Sequence, residues 1–139
     1  MANRAERRRS MKISELREQA IEAMNHTPYI EFEDVLHEDG TPFRVWHPLL
    51  VDDEAQKRID LVQSRRDLDR DDNDVVKFPN TIKGKPADPD VIRLARAVLG
   101  ADEHKKFLAA GGNSQDINMA WLVMQQEYED AKEGEEDPK

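Results

Sequence analysis

The four histidines are the residues of this chain whose side chains are best suited to acid–base or metal chemistry. His26, His37, His47 and His104 are scattered, and none stands at metal-ligand spacing with a second histidine. The chain contains no cysteine, so a thiolate nucleophile and a thiolate ligand are both excluded. His37 and His47 could approach each other across a predicted hairpin, but a surface or turn role is the simpler interpretation. The histidines therefore indicate no catalytic or metal site.

Two other patterns resemble functional loops only superficially. The segment DLDRDDND at 67–74 is dense in carboxylates, as calcium loops are, yet it has no glycine at its sixth position and no glutamate at its twelfth. Gly84 and the pair Gly111-Gly112 lie in no phosphate-binding pattern. No nucleophile–base pair can be assigned from the sequence, so we expect a protein that is not an enzyme and that carries no cofactor or metal ion.

The segment NMAWLVMQQ at 118–126 is the most informative feature of the chain. Six consecutive apolar residues leave a predicted helix with no polar side, in a chain that is 37% charged and has a mean hydropathy of −0.87. A helix that is apolar all round is normally buried all round. One interpretation is a central helix wrapped by the other elements. The other is that one side of the helix docks a partner, for which flexible methionine side chains are well suited.

Both interpretations can hold for one helix if its sides differ. We assign partner binding to four residues of this segment: Met119, Leu122, Val123 and Met124. The expected core combines the helix with apolar residues of the other elements: Trp46, Ile59, Leu94, Val98, Phe107, Ile117 and Trp121.

The elements that position these residues follow from apolar periodicity and capping signals. We predict an α+β fold that is mainly α-helical, in a single small domain at 13–133, with an N-terminal helix, one β-hairpin and about four short helices. Ile13, Leu16, Ala20 and Met24 mark the first helix. The remaining elements are predicted as follows: the hairpin at 29–47, helices at about 52–66, 89–99, 102–110 and 114–132, helix caps at Asp52 or Asp53 and at Asp88, and a mobile loop at 67–88.

Charge distinguishes the ends of the chain from this domain. The net charge is −9, yet a basic arm that we expect to be disordered occupies 1–12, and an acidic tail occupies 134–139. The acidic balance argues against general nucleic-acid binding, since phosphate contacts need clustered lysine and arginine. The simpler interpretation is that both charged ends are solvated and frayed. The alternatives are head-to-tail self-association between copies and an arm that binds an acidic partner. No segment approaches the roughly 18–20 apolar residues of a membrane span, and the lack of cysteine fits a reducing compartment.

The order of the segments resembles that of a known family. The stretches that carry the resemblance are PLLVDDEAQKRID at 48–60, RLARAVLG at 93–100 and FLAAGGNSQDINMAW at 107–121. Together with the hairpin and the acidic tail, they make residues 29–137 similar to the tail assembly chaperones of long-tailed (siphovirus-type) bacteriophages, especially those that infect actinobacteria. None of these stretches is a catalytic motif, so the resemblance is one of pattern and order.

The resemblance implies a function that is not enzymatic. Chaperones of this family bind the very long tape measure protein in the host bacterial cytoplasm, keep it soluble while tail-tube subunits assemble around it, and are absent from the mature virion. The implied partners are the tape measure protein, the tail-tube subunits and a long form of the chaperone made by programmed ribosomal frameshifting. On this interpretation the chain is the short, non-frameshifted form, and the codons of Asp137-Pro138-Lys139 could contain the slippery sequence.

Two other functions remain open at this point. The chain could be a small structural or connector protein of the phage particle, in which case it would persist in purified virions. It could instead be a nucleic-acid-associated regulator that uses the basic N-terminal arm. DNA binding would then weaken with salt, and deletion of residues 1–12 would abolish it.

Overall fold

The computed structural model describes residues 10–23 and 27–136, and helices dominate it. Its elements are α1 (Ile13–Ala23), β1 (Tyr29–Leu36), β2 (Pro42–Trp46), α2 (Asp53–Gln63), β3 (Thr81–Ile82), β4 (Lys85–Pro86), α3 (Asp90–Leu99), α4 (Ala101–Ala109) and α5 (Ser114–Glu136). The predicted α+β, mainly α-helical class is confirmed. Several sequence-based expectations concern residues outside the described ones: most of the basic arm at 1–9, Met24, His26 and the last residues at 137–139.

β1 and β2 form the antiparallel hairpin that the turn signal predicts. Gly40 has a φ of 87°, a left-handed conformation that glycine adopts without strain. The strands pair from Tyr29 opposite Trp46, and the register shifts before Leu36 is reached. This irregularity explains why Leu36 is exposed although the alternation of β1 predicts an inward side chain.

The alternation of β2 decides which of its residues enter the core. Phe43 and Val45 point inward and are buried, so Trp46 lies on the outer face with 42% of its surface exposed. The prediction of Trp46 as a core residue is therefore wrong. Its ring packs against Tyr29 instead, with 4.9 Å between the ring centroids, and the Arg44 guanidinium lies 4.5 Å from the Tyr29 ring centroid.

The core lies where the hairpin meets the helices that follow it. Phe107 of α4 packs edge-on against Phe43, with 5.2 Å between the centroids, and tilted against Phe32 at 5.1 Å. The other predicted core residues are all found in this cluster: half-buried Leu94 and buried Ile59, Val98, Phe107, Ile117 and Trp121.

The capping predictions are confirmed for α2 and wrong for α3. The Asp52 carboxylate accepts a hydrogen bond from the backbone N–H of Ala55 at 2.8 Å, which satisfies one free donor of the first turn. At α3 the cap position is Pro89, which has no capping side chain, and Asp88 accepts a hydrogen bond from Arg96 instead. The observed bounds otherwise differ from the predicted ones by a few residues, mainly because α2 ends early, at Gln63, and α5 continues to Glu136.

The connection between α4 and α5 depends on a glycine at one position. Gly112 is buried, and a Cβ added there would lie 2.2 Å from the Phe107 ring. A residue with a side chain would displace the aromatic ring that fills the core. The close approach therefore explains why the turn that starts α5 contains this glycine.

The segment at 67–88 is folded around Asp69, and the prediction of a loop missed the strands β3 and β4 within it. The Asp69 carboxylate accepts hydrogen bonds from the Gly84 N–H (2.9 Å), the Thr81 hydroxyl (2.7 Å) and the Lys83 N–H (3.0 Å). These bonds favour the ionised form and hold the pKa of Asp69 below its usual value. The mobility of the segment stays a prediction.

A buried ion pair attaches the start of this segment to α3. Arg93 donates from Nε and Nη2 to the two carboxylate oxygens of Asp67, each at 2.8 Å, and from Nη1 to Asp90. Arg93 is almost completely buried. The parallel pair of bonds is the geometry that makes arginine–carboxylate contacts strong and directional.

Candidate functional site

The exposed side of α5 is the candidate functional site. Met119, Leu122 and Val123 are 49%, 58% and 50% exposed, although they lie in the most apolar segment of the chain. Their i, i+3, i+4 spacing places them together on one face of the helix. Three of the four predicted partner-binding residues therefore form a continuous apolar patch, which we call the α5 patch.

The fourth predicted residue, Met124, lies on the opposite side of the helix. It is fully buried, and the prediction that it contributes to a docking face is wrong. The reason is helical geometry: Met124 is three residues from Trp121 and four from Ala120, both of which are buried, so all three side chains point into the core.

The side of α5 opposite the α5 patch packs in the core of the protein. Ile117, Trp121 and Met124 fill the side of α5 that faces the other elements. Asn118 adds a polar anchor, because its Nδ2 donates a hydrogen bond to the Val91 carbonyl of α3 at 2.8 Å. A patch fixed in this way loses little conformational freedom when a partner binds.

The rim of the α5 patch becomes acidic towards the end of the helix. Gln126, Glu129 and Asp130 are exposed, and their spacing continues the face that carries the patch. The Gln126 Nε2 donates to Asp130 at 2.9 Å. The sequence analysis identifies these carboxylates only as part of the charged end of the chain. Their helical spacing from Gln126 is the signal that places them beside the patch. A partner with an apolar stripe and adjoining basic residues complements this surface.

The described histidines have structural partners that the sequence did not reveal. His47 is buried, and its Nδ1 accepts a hydrogen bond from the Leu49 N–H at 3.0 Å. The Nε2 of His104 lies 2.9 Å from the Ser114 hydroxyl in the interior. Burial, together with the positive charge of Arg96, lowers the pKa of His104 and keeps the ring neutral.

The pair of His104 and Ser114 has the hydrogen bond that a nucleophile and base would share, but it lies where substrate has no access. Both side chains are buried, and neither lines the groove between α1, the hairpin and α2 or a smaller cavity beside the hairpin turn. The geometry therefore supports a packing role that connects α4 to the first residue of α5.

His37 connects the hairpin turn to α4. Its Nε2 lies 2.8 Å from the Glu103 carboxylate, its Nδ1 lies 2.9 Å from the Thr41 carbonyl, and its ring stacks on Phe43 with 3.7 Å between the centroids. The protonated ring can donate to both oxygens. The hydrogen bond to Glu103, followed by the one to Thr41, raises the pKa of His37 above its ordinary value.

The larger cavity is an open groove between α1, the hairpin and α2. Its volume is about 770 Å³, and its walls include Tyr29, Trp46 and Val51. Arginines and carboxylates alternate around these apolar side chains, among them Arg44, Arg58 and Asp52. The described residues that line the groove include no convergent set of titratable groups that indicates a particular reaction.

Comparison with known proteins gives no match: no protein-family model, no curated protein and no solved structure is similar to the chain. Among residues 10–23 and 27–136, no group of three or more histidine or carboxylate side chains is placed to hold a metal ion. Over the same ranges, none of the helices combines the length and the apolar character that crossing a membrane requires. The α5 patch is thus the feature on which a functional proposal can be based.

Proposed function

We propose that this chain is a tail assembly chaperone of a long-tailed bacteriophage, in its short, non-frameshifted form. It binds the tape measure protein in the host bacterial cytoplasm, keeps it soluble and helps tail-tube subunits assemble around it. The proposal includes the long frameshifted form and the tail-tube subunits as further partners, and it places the chain outside the mature virion. The chain acts by binding and catalyses no reaction.

The observation that carries this proposal is the α5 patch. Three large apolar side chains stand half-exposed on a helix whose other side lies in the core. Exposed apolar residues that are grouped on one face are typical of an interaction surface. A long helical client presents repeated apolar stripes, and an apolar helix face is a suitable surface for such a stripe.

Charge provides the second requirement of a chaperone that holds an aggregation-prone client. The net charge of −9 keeps the chain soluble when its apolar patch and that of the client are brought together. Several copies bound along one client would add their charges. Such an arrangement also tolerates a modest affinity at each site, because neighbouring sites raise the overall avidity.

The test is co-expression of the chain with the tape measure protein of the same phage, with the soluble fraction of the tape measure protein as the readout. We expect the unaltered chain to keep the client soluble. Met119→Asp and Val123→Asp place a charge in the patch and should reduce both solubilisation and co-purification. Because both side chains are half-exposed, the thermal midpoints of these variants should stay close to that of the unaltered chain.

Leu61→Asp is the matched control, because Leu61 is exposed to a similar extent on α2, away from the patch. The control should leave client binding intact. Equal loss of solubilisation for all three variants would contradict a docking face on α5. Recovery of the chain from purified virions would favour a structural or connector protein, and salt-sensitive DNA binding that needs residues 1–12 would favour a regulator.

The frameshifting part of the proposal is tested by the gene. Asp137-Pro138-Lys139 can be encoded as GAC-CCA-AAG, which contains the slippery heptamer C-CCA-AAG. A gene with this repeat and an overlapping downstream reading frame supports a long form. Codons that do not repeat in this way would exclude slippage at these residues.

A further inference from the structure

The apolar stripe of α1 is exposed, which is unusual for an amphipathic helix on a monomer. Its apolar residues Ile13 and Leu16 are 66% and 54% exposed, and Ala20 on the same stripe is exposed as well. Its polar residues Arg17 and Glu18 are exposed as well, and they line the groove beside the hairpin. A surface helix normally buries its apolar stripe and turns its polar side to water. The exposed stripe of α1 therefore lacks a covering surface among the described residues of its own chain.

The α5 patch is a second apolar helix face without cover among the described residues, and each face carries three apolar side chains. Ile13, Leu16 and Ala20 follow the i, i+3, i+7 positions of one helix stripe, and the α5 patch follows i, i+3, i+4 on another. Helices pack through such stripes by inserting the side chains of one between those of the other. Each face offers the apolar surface that would cover the other.

The charged residues near the two apolar faces favour one relative orientation of α1 and α5. Lys12 stands exposed at the start of α1, and Arg7, Arg8 and Arg9 precede it in the sequence. Glu129 and Asp130 are exposed beyond the other end of the α5 patch. Antiparallel packing brings Lys12 towards Glu129 and Asp130, and it also sets the two helix dipoles in opposite directions.

We infer that α1 of one copy packs antiparallel against the α5 patch of a second copy. Leu16 then lies opposite Leu122, and Lys12 lies near Gln126. The contact area of so few side chains is below that of a stable interface, so the association is weak and reversible. Two reciprocal contacts between the same pair of copies would close a dimer, and single contacts would link copies in series.

The self-contact also regulates the site of the proposed function, and this part of the inference rests on that function. While α1 of a second copy covers the α5 patch, the patch is protected from non-specific apolar contacts. A client with a longer apolar stripe and basic neighbours displaces the weaker cover. Client binding should therefore release single copies from the self-associated form.

The experiment is sedimentation velocity of the full chain over a series of concentrations. The unaltered chain should shift from monomer to larger species as concentration rises. Leu16→Asp disables α1 and Leu122→Asp disables the α5 patch, so each variant alone should associate roughly tenfold more weakly or worse. Leu61→Asp, the matched change at a leucine of 48% exposure, should associate like the unaltered chain.

Mixing the two disabled variants is the decisive step. Leu16→Asp keeps an intact α5 patch and Leu122→Asp keeps an intact α1, so the mixture should form one-to-one pairs although neither variant associates alone. This result also shows that neither change has unfolded the chain. A monomeric unaltered chain, a self-associating Leu16→Asp variant or a mixture that stays monomeric would each overturn the inference.

The chain has no cysteine, which allows the direction of the contact to be tested by cross-linking. A mixture of Lys12→Cys and Gln126→Cys variants should form a mixed disulfide on mild oxidation. Lys12→Cys with Gln115→Cys, at the other end of the α5 patch, should not. The opposite result would overturn the antiparallel arrangement.

These tests distinguish a failure of the self-association hypothesis from a failure of the proposed chaperone function. Leu16→Asp should lose self-association and keep client solubilisation, because its α5 patch is intact. Leu122→Asp should lose both. Normal client binding by a chain that is monomeric at all concentrations would reject the self-contact alone, and self-association without client binding would reject the proposed function alone.

Discussion

At the scale of single residues, Trp121 shows most clearly how α5 combines packing with exposure. Its ring is buried among the core residues, while the next two residues, Leu122 and Val123, lie in the exposed patch. Successive helix positions are separated by about 100°, so one residue of difference is enough to move a side chain from core to solvent. The indole N–H of Trp121 has no hydrogen-bond partner among the described residues, which reduces the net gain from burying the ring.

Two substitutions at Trp121 separate these opposing effects. Trp121→Ala removes the whole ring and should lower the free energy of unfolding by about 3–5 kcal/mol. Trp121→Phe keeps most of the apolar volume and removes the unpartnered N–H, whose burial costs about 1–3 kcal/mol. We therefore expect a clearly smaller loss for Trp121→Phe, measured by urea unfolding followed by circular dichroism. Equal losses for the two variants would mean that the N–H has a partner that stabilises it.

The residue-level predictions from sequence succeeded where periodicity alone decides the outcome. Ile117 and Trp121 are buried, as the apolar stripe of α5 indicates. The sequence-based prediction places Trp46 in the core, but the alternation of β2 puts its side chain on the outer face. The same period places Met124 on the inner stripe with Ile117 and Trp121, so its inclusion in the docking face disagrees with the helical spacing.

At the scale of elements, the ion pair of Arg93 connects the loop after α2 to α3. Arg93 is buried and Asp67 is largely so, and two parallel hydrogen bonds join them. Removing one partner leaves the other charge without compensation in a site with little water. Arg93→Ala should therefore lower the free energy of unfolding by about 3–5 kcal/mol.

A double-mutant cycle shows whether this loss comes from the pair itself. If it does, Asp67→Leu combined with Arg93→Met should be more stable than Arg93→Met alone, because no charge is then left unpaired between positions 67 and 93. Urea unfolding of the single and double variants provides the coupling energy. A double variant that loses the sum of the single losses would show that the two residues act independently, and Asp90 would then be the more important partner of Arg93.

The elements themselves were predictable to different extents. The hairpin was predictable because Asp39-Gly40 is a local turn signal, and α2 because Asp52 is a local cap. The folded loop around Asp69 was not, because its bonds join residues up to fifteen positions apart and leave no apolar period. The pair of Arg93 and Asp67 also joins distant residues, and an arginine within a helix is normally exposed, so the sequence did not indicate the buried pair.

At the scale of the whole molecule, His37, which contacts α4, and His104, which lies within α4, give stability opposite dependences on pH. The raised pKa of His37 means that its contribution is complete below its ordinary pKa of about 6.5 and is lost as pH rises through the raised value. The lowered pKa of His104 means that the folded state resists protonation, so stability falls as pH drops below the ordinary value. The two effects partly cancel in the unaltered chain.

The variant Glu103→Gln isolates the contribution of His37, because it removes the main cause of the raised pKa and leaves His104 in place. The stability difference between the unaltered chain and Glu103→Gln should be largest near pH 5 and should shrink towards about pH 8, as His37 loses its proton. Urea unfolding at a series of pH values measures this difference.

Glu54→Gln is the matched control, because Glu54 pairs with Lys57 at 3.9 Å as Glu103 pairs with Lys106 at 3.8 Å. A difference that does not vary with pH, or one that the control reproduces, would mean that Glu103 stabilises α4 without ionic attraction to His37. The hairpin would then be joined to α4 mainly by the packing of Phe43 and Phe32 on Phe107.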